Sequence, residues 1–223
     1  MEEKKNHMSF KDKKYTVVKS AISKEKSDFI FKYFLLKRKV ARYLFDNSYM
    51  SPFREDWGMF NDPQVPKTYS HYSDIAMDVL LEEMLPVLKK ETELDLVPTY
   101  SYARLYKKGD ELKRHKDRES CEISTTLNLG GDSWPIFLEP NKNVGISGVD
   151  GCTPSSNNPG VKINLEPGDM LIYSGCVLEH WRETFEGEVC GQVFLHYNNI
   201  KTSGEEYKFD KRPFLGLPNY YNQ

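Results

Sequence analysis

The feature that most constrains the fold is a series of short alternating segments after Pro98, each ended by a turn signal. Tyr100, Tyr102, Arg104 and Tyr106 alternate with smaller or apolar residues, the period-two pattern of a strand with two unlike faces. Further short strand patterns follow at 123–127, 134–138, 161–165, 170–173 and 193–197. Many short strands separated by turns predict a β-sandwich or jelly roll.

The residues before Pro98 predict a short strand at 15–18 and two amphipathic helices. The first opens at Ser23, and its apolar positions are Phe29, Ile30, Tyr33, Phe34 and Leu35. The second has apolar positions Ile75, Val79, Leu80, Met84, Leu85 and Leu88 and ends near Lys90. Apolar residues at this helical spacing are expected to pack in the core. Helices placed before the strands would cover one sheet face.

Composition is that of one folded domain. The chain has 223 residues, 39% of them hydrophobic and 13% aromatic, and barrels or sandwiches reach this length as single units. We predict one mainly β domain with flanking helices (α+β). It divides into an N-terminal strand with supporting helices (1–97), a β core (98–198) and a C-terminal extension (199–223).

Net charge indicates which kinds of partner are expected, and cysteine usage indicates the redox compartment. A net charge of −2 disfavours a dedicated nucleic-acid binder, and the run at 37–39 is interpreted as a solvated helix face. The cysteines, which lack C-x-x-C spacing, are interpreted as small core residues: Cys121, Cys152, Cys176 and Cys190. Without an apolar leader or a membrane span in the sequence, we expect reduced thiols in a cytoplasmic protein.

The motif that carries chemistry is His115-x-Asp117 followed downstream by His180. On an extended segment His115 and Asp117 point to the same side, and several strands lie between them and His180. Two imidazoles and one carboxylate on one face of a metal are typical of non-haem Fe(II) oxygenases. Zn²⁺ accepts the same ligands, so the motif alone leaves the metal open.

Two segments resemble a known family. The segment 106–117, Tyr-Lys-Lys-Gly-Asp-Glu-Leu-Lys-Arg-His-Lys-Asp, resembles the Tyr-x-x-Gly…His-x-Asp core of the prolyl 4-hydroxylase-like Fe(II)/2-oxoglutarate dioxygenases. The segment 166–173 is similar to the turn and strand before that family's distal histidine, here His180. The resemblance covers 98–198 and implies a double-stranded β-helix of the cupin type.

The resemblance also implies an activity. His115, Asp117 and His180 would hold Fe(II), with 2-oxoglutarate and dioxygen as co-substrates and ascorbate as a possible reductant. The reaction would hydroxylate a C–H bond of a prolyl peptide or a small metabolite and release succinate and carbon dioxide. The alternative is a cupin-like metal protein with a non-redox function, an isomerase, a hydrolase or a binding protein. Neither the primary substrate nor the oligomeric state follows from the sequence.

One departure from the family pattern concerns the cation that pairs with the distal carboxylate of 2-oxoglutarate. The family places Arg or Lys about ten residues after the distal histidine, where this chain has Cys190. Arg182 is the predicted substitute, because its planar fork suits a carboxylate. A surface salt bridge with Glu183 or Glu186 is the competing interpretation, and Arg104 is the fallback cation.

Other co-substrate contacts are predicted from Tyr106, Thr125 and Gln192, with core packing as the alternative for Tyr106 and Thr125. His71 and His196 lack ligand spacing and are interpreted as structural. The segment 139–160 is rich in Gly, Asn, Ser and Pro. Loops of this length are commonly lids or binding loops, so we expect it to order over the substrate, a passive insertion being the alternative.

Overall fold

The computed structural model describes residues 9–51, 53–145 and 157–221. Its helices are α1 (Phe10–Lys13), α2 (Lys24–Asp46), α3 (Ile75–Thr92) and α4 (Gly204–Tyr207). Its strands are β1 (Tyr15–Val18), β2 (Tyr69–Tyr72), β3 (Leu96–Lys107), β4 (Leu112–His115), β5 (Ile123–Gly131), β6 (Ile136–Leu138), β7 (Val161–Ile163), β8 (Met170–Tyr173), β9 (His180–Arg182) and β10 (Val189–Asn199). Short 3-10 segments occur at Glu119–Cys121, Lys208–Lys211 and Asn219–Tyr221.

The strands form two antiparallel sheets. The larger has the order β1-β8-β5-β10-β3-β2, and the smaller has the order β4-β9-β6-β7. The N-terminal strands β1 and β2 therefore complete the larger sheet, pairing with β8 and β3. Two antiparallel sheets with few helices agree with the predicted jelly-roll class.

Helix α2 starts where the sequence predicts. Ser23 is its N-cap, and the Ser23 hydroxyl accepts a hydrogen bond from the Lys26 backbone N–H at 3.1 Å. This contact satisfies one of the amide donors that have no partner inside the helix. Ile30, Phe34 and Ala41 are buried. Phe29 points to solvent and is 73% exposed, so the expectation that it packs in the core is wrong.

Helix α3 begins after Asp74, whose side chain accepts hydrogen bonds from the Ala76 and Met77 backbone N–H groups. Its buried apolar residues are Met77, Leu80, Leu81, Met84 and Leu88. Ile75 is 70% exposed and Val79 is 58% exposed. For these two residues the prediction of core packing is wrong, because they lie on the side of the helix away from the sheet.

The larger sheet has two unlike faces. One, here called the helix face, belongs to the same apolar cluster as α2 and α3; its residues include Ala103, Leu105, Ile123, Leu127, Met170, Ile172, Val193 and Leu195. The other, here called the site face, looks towards the smaller sheet. Its residues include Tyr100, Tyr102, Arg104, Ser124, Tyr173, Gln192, Phe194 and His196. Strand alternation separates the two sets.

Cys121 and Cys190 are buried and Cys176 is partly exposed, all three as free thiols. Cys152 and residues 146–156 of the predicted loop lie outside the described residues. Among the described residues, no helix combines the length and apolar character needed to span a bilayer.

Candidate functional site

Pairing of β4 with β9 brings the two predicted histidine ligands together. His115, the last residue of β4, is the cross-strand partner of His180, the first residue of β9, and their ring centroids are 4.2 Å apart. Asp117 follows in a segment anchored by its backbone N–H, which donates to Gly175 O at 2.9 Å. One ligand atom from each of the three side chains lies within 4.8 Å of the others, so the predicted triad is assembled.

Backbone carbonyls fix the tautomers of both histidines. The Nδ1 atom of His115 lies 2.7 Å from Lys113 O, and that of His180 lies 3.0 Å from Leu178 O. Because a carbonyl only accepts, each Nδ1 carries a hydrogen, and in the neutral ring Nε2 then keeps the lone pair that can bind a metal. Burial, together with repulsion from His180, lowers the pKa of His115 to about 4, so this imidazole is neutral and able to bind a metal at pH 7.

The two oxygens of Asp117 have different surroundings. Oδ1 faces the histidines, 3.7 Å from Nε2 of His115 and 3.5 Å from Nε2 of His180. Oδ2 accepts a hydrogen bond from Ser124 Oγ at 2.6 Å. Burial raises the pKa of Asp117, but attraction to both histidines outweighs burial and holds that pKa below its usual range. The ionised carboxylate therefore presents one free oxygen to a metal.

A glycine permits this close packing. A Cβ atom at Gly175 would lie 2.3 Å from Asp117 Oδ2 and 2.4 Å from Ser124 Oγ. Either contact is far inside van der Waals distance, so any larger residue at 175 would push the carboxylate away from its hydroxyl donor.

Ser124 also connects Asp117 to His196, whose Nδ1 lies 3.0 Å from Ser124 Oγ. Ser124 has one hydroxyl hydrogen, and the 2.6 Å contact with the ionised Asp117 takes it in preference to Cys121 O at 3.2 Å. His196 Nδ1 must then donate to Ser124, which leaves Nε2 as an acceptor. Burial lowers the pKa of His196 to about 4, consistent with the neutral ring that this pattern needs.

A cavity of about 350 Å³ opens beside the triad. It is lined by Pro63, Gln64, Tyr100, Tyr102, Arg104, His115, Asp117, Arg118, Tyr173, His180, Phe194 and His196. His196 thus belongs to the site, and its interpretation as a structural histidine is incomplete. The available signal was its alternation with Gln192 and Phe194 on one strand face.

Arg104 lines this cavity, and its positive charge is already paired with the carboxylate of Asp62. Its Nε donates to Asp62 Oδ2 at 2.8 Å, and its Nη2 donates to Asp62 Oδ1 at 3.1 Å and to Gln64 Oε1 at 2.7 Å. Its Nη1 donates to Tyr106 OH at 3.2 Å. The fallback cation of the sequence analysis is therefore half of a buried ion pair with Asp62.

Arg182 lies deeper, outside the cavity lining, and is 1% exposed. Its Nη1 donates to Trp134 O, and its Nη2 donates to Thr126 Oγ1 at 3.2 Å. Its Nε is buried without a hydrogen-bond partner. Across residues 9–51, 53–145 and 157–221 no carboxylate pairs with it. The predicted alternative of a salt bridge with Glu183 or Glu186 is wrong.

The groups around Arg182 place it close to position 190. Burial lowers the pKa of Arg182, and electrostatic attraction to Cys190, Tyr106 and Tyr173 opposes this shift. The guanidinium thus lies near Cys190, where the family pattern has its basic side chain, although it comes from β9 instead of β10. A buried cation without a counter-charge is costly, which makes this position suited to an anion.

The other predicted co-substrate residues divide between the two sheet faces. Tyr106 is fully buried, and its hydroxyl accepts from Arg104. Gln192 Oε1 accepts from Thr126 Oγ1 at 3.0 Å. The Thr125 hydroxyl instead accepts from Leu195 N at 3.0 Å, and its neighbour Thr126 is the threonine that contacts Arg182. Thr125 shares the parity of Ile123 and Leu127 on the helix face.

Comparisons with known proteins agree on the fold. No protein-family model matches the sequence, and no curated protein does. Among solved structures, EctD from S. alaskensis in its apoform has a TM-score of 0.61 at 16% identity, covering 93% of this chain and 81% of that one. A Pseudomonas putida prolyl-4-hydroxylase has a TM-score of 0.52 at 14% identity, covering 85% and 95%.

A third similar structure contains ligands. HygX from Streptomyces hygroscopicus, with nickel, 2-oxoglutarate and hygromycin B bound, has a TM-score of 0.54 at 12% identity and covers 86% of this chain and 85% of that one. At these identities the likeness is one of fold. The prolyl 4-hydroxylase-like resemblance of the sequence is confirmed at that level.

Proposed function

We propose that this chain is an Fe(II)- and 2-oxoglutarate-dependent dioxygenase that hydroxylates a C–H bond of a peptide or a small metabolite. The observation that carries the proposal is the buried guanidinium of Arg182, which has no carboxylate partner in the described residues and lies on the same small sheet as His115 and His180. A triad alone would suit several metal proteins. The unmatched buried cation indicates an anionic co-substrate.

The metal would be held by Nε2 of His115, Nε2 of His180 and Oδ1 of Asp117. This donor set fits Fe(II), since two neutral imidazoles and one carboxylate on one side leave the opposite positions open. Fe(II) and 2-oxoglutarate, when bound, supply the activation of dioxygen needed for hydroxylation, with release of succinate and carbon dioxide. The chain's own residues orient the ligands: Lys113 O and Leu178 O hold the rings, and Ser124 holds Asp117.

The distal carboxylate of 2-oxoglutarate would pair with Arg182. Two guanidinium groups flank Tyr106, but Arg104 is already neutralised by Asp62. Arg182 retains an unpartnered Nε–H, and Thr126, held by Gln192, orients its Nη2. Because Tyr173 lines the cavity and lies near enough to Arg182 to influence its pKa, we propose that the co-substrate extends past Tyr173 to reach the guanidinium.

The primary substrate would occupy the rest of the cavity, between aromatic walls formed by Tyr100, Tyr102 and Phe194. A volume of about 350 Å³ admits a small metabolite or one side chain of a peptide. His196 Nε2 is available there as a hydrogen-bond acceptor, and we propose that it meets an N–H or O–H group of the substrate.

The deciding experiment is anaerobic titration of the Fe(II)-loaded protein with 2-oxoglutarate, followed by visible absorption. Chelation of Fe(II) by the keto acid should produce a charge-transfer band that saturates at one equivalent. Asp117→Ala is the control that should give no band because it does not retain iron. If the wild-type protein binds Fe(II) without developing the band, the dioxygenase proposal fails, and a non-redox metal protein becomes the better interpretation.

A further inference from the structure

A second cavity, of about 610 Å³, opens on the helix side of β3, away from the metal triad. It is here called the basic groove, and it is lined by Leu35, Arg38, Lys39, Arg42, Phe60, Lys67, Tyr69, Leu105 and Lys107. Leu105 and Lys107 alternate along β3 with Arg104 and Tyr106, so the basic groove and the metal site use opposite faces of one strand.

The lining of the basic groove contains five cations and no carboxylate. Arg42 has a long contact of 3.7 Å with Asp46, where both side chains are more than half exposed, and Lys107 pairs with Asp110. Arg38, Lys39 and Lys67 make no ion pair or side-chain hydrogen bond to any residue in the described part of the chain. Like charges gathered in a partly enclosed groove repel one another more strongly than on open surface.

Arg38 shows this repulsion most directly. Burial lowers its pKa, attraction to Tyr69 opposes that shift, and the like charge of Arg42 lowers the pKa further. An arginine remains protonated in spite of such shifts. The groove therefore retains its positive charge in the free protein, and a bound anion would relieve the repulsion.

The floor of the basic groove is aromatic and apolar. The rings of Phe60 and Tyr69 lie with centroids 4.9 Å apart at an interplanar angle of 44°. The Arg42 guanidinium lies 3.8 Å from the centroid of Phe60. A ligand that matches both parts combines a flat, weakly polar ring system with two or more negative charges.

We propose that the basic groove binds a small organic phosphate with an aromatic ring, of the nucleotide class. Phosphate oxygens suit the fork of Arg38 and the point charges of Lys39 and Lys67, and the ligand ring would pack against Phe60 beside the Arg42 guanidinium. The cavity volume of about 610 Å³ lies within the range of small-molecule sites. Two residues of the run at 37–39, interpreted from sequence as a solvated helix face, thereby gain a function: Arg38 and Lys39 line the groove, whereas Lys37 pairs with Asp74.

The test is isothermal titration calorimetry of the full-length, metal-free protein with ATP in the presence of EDTA, which keeps ATP from binding through a metal at the triad. ATP should bind once per chain. Inorganic tripolyphosphate, which lacks the ring system, should bind at least about fivefold more weakly than ATP. Adenosine, which lacks the phosphates, should bind too weakly to measure. Affinity should fall as salt is raised.

Matched variants locate the site. The double variant Arg38→Gln/Lys67→Gln should weaken ATP binding by at least about tenfold, a change of about 1.4 kcal/mol. Lys32→Gln is the control, since Lys32 lies on α2 outside the groove and pairs with Asp28; it should not change the affinity. Phe60→Leu should reduce the affinity for ATP to that for tripolyphosphate. The melting temperature of the double variant should hold or rise, because repulsion is removed.

Three results would overturn the proposal. Equal weakening by Lys32→Gln would mean diffuse electrostatic attraction without a site. Binding that survives in the double variant would place ATP elsewhere on the molecule. A short single-stranded RNA that binds at least about tenfold more tightly than ATP, and is lost in the double variant, would make the groove a nucleic-acid site instead.

Discussion

The two faces of the larger sheet are built from the same strands and have opposite chemistry. On the helix face, Leu127, Val193 and Leu195 are fully buried against the helices and make apolar contacts. On the site face, Ser124, Thr126 and Gln192 are just as buried but carry polar groups. A single sheet can therefore supply the core with one face and hold a reactive site with the other, because alternation separates the two sets of side chains.

This difference between the faces shows where hydrogen bonds offset the cost of burying polar side chains. Ser124 is hydrogen-bonded to Asp117, and Thr126 to Gln192, which offsets the cost of removing them from water. Arg182 lacks a full set of partners among the described residues, and the triad leaves its ligand atoms facing one another. Unmatched groups of this kind are found where a ligand completes the structure, so changes on the site face should affect binding and changes on the helix face should affect stability.

The largest expected effect is on metal retention. Asp117→Ala removes the one anionic ligand of a site with three protein ligands, so the affinity for Fe(II) should fall by more than about 100-fold. His115→Ala and His180→Ala should behave in the same way. The measurement is iron content after gel filtration, with circular dichroism as the check on folding. Stoichiometric iron in any of these variants would remove that residue from the ligand set.

A helix-face change should give the reverse pattern. Leu127→Ala deletes a fully buried side chain and should destabilise the protein by about 2–5 kcal/mol, while the metal affinity of the folded protein is unchanged. Leu36→Ala is the control, because Leu36 is 61% exposed and should change the free energy of unfolding by less than about 0.5 kcal/mol. Urea denaturation measures both. A metal affinity that falls with Leu127→Ala would show that the two faces are not independent.

The third prediction distinguishes the roles of the two buried arginines, Arg182 and Arg104. Arg182→Met should weaken 2-oxoglutarate binding by about 10- to 100-fold, since a hydrogen bond to a charged group contributes about 1.5–3 kcal/mol. Iron binding should survive. Arg104→Met leaves Asp62 as a buried charge without its partner and should chiefly lower stability, by about 3–5 kcal/mol. If Arg104→Met abolishes 2-oxoglutarate binding in folded protein while Arg182→Met changes it less than about twofold, Arg104 is the carboxylate partner.

A smaller effect is expected from the groups that position Asp117. Ser124→Ala removes the donor to Oδ2 and should weaken Co(II) or Zn(II) binding about tenfold, within the range for partners that orient a metal ligand. His196→Phe should weaken it less, and His196→Gln, which keeps an N–H donor, should restore it. Nitrogen-15 chemical shifts of the His196 ring provide a second measurement. A protonated Nε2 with a bare Nδ1 would contradict the hydrogen-bond assignment.

The residues of the metal site could be predicted from the sequence better than the packing around them. His115, Asp117 and His180 could be found because ligand chemistry restricts residue type and spacing, and strand alternation identified Tyr102, Arg104 and Tyr106 as sharing one face. The exposure of Phe29, Ile75 and Val79 could not be predicted, because helical periodicity does not tell how wide a stripe the sheet will cover.

Other features depended on contacts distant in sequence. That Asp62 neutralises Arg104 is a property of the fold, since the two residues lie 42 positions apart. That no carboxylate in the described residues pairs with Arg182 likewise depends on where Glu183 and Glu186 point. The face of Thr125 follows from the sequence itself, because Ile123 and Leu127 assign its parity to the apolar side.

The smallest expected effect comes from these two adjacent threonines, which are matched in size and burial and differ in the face they occupy. Thr126→Val removes the acceptor of Arg182 Nη2 and the donor to Gln192. It should weaken 2-oxoglutarate binding by about three- to tenfold, the value of one hydrogen bond of about 1 kcal/mol. Thr125→Val deprives Leu195 N of its hydroxyl acceptor and should lower the free energy of unfolding by about 1–3 kcal/mol without changing 2-oxoglutarate affinity. Calorimetric titration and urea denaturation of both variants measure the pair. Since the side chains differ only in parity, a 2-oxoglutarate defect in Thr125→Val and none in Thr126→Val would mean that the co-substrate does not lie on the site face beside Arg182.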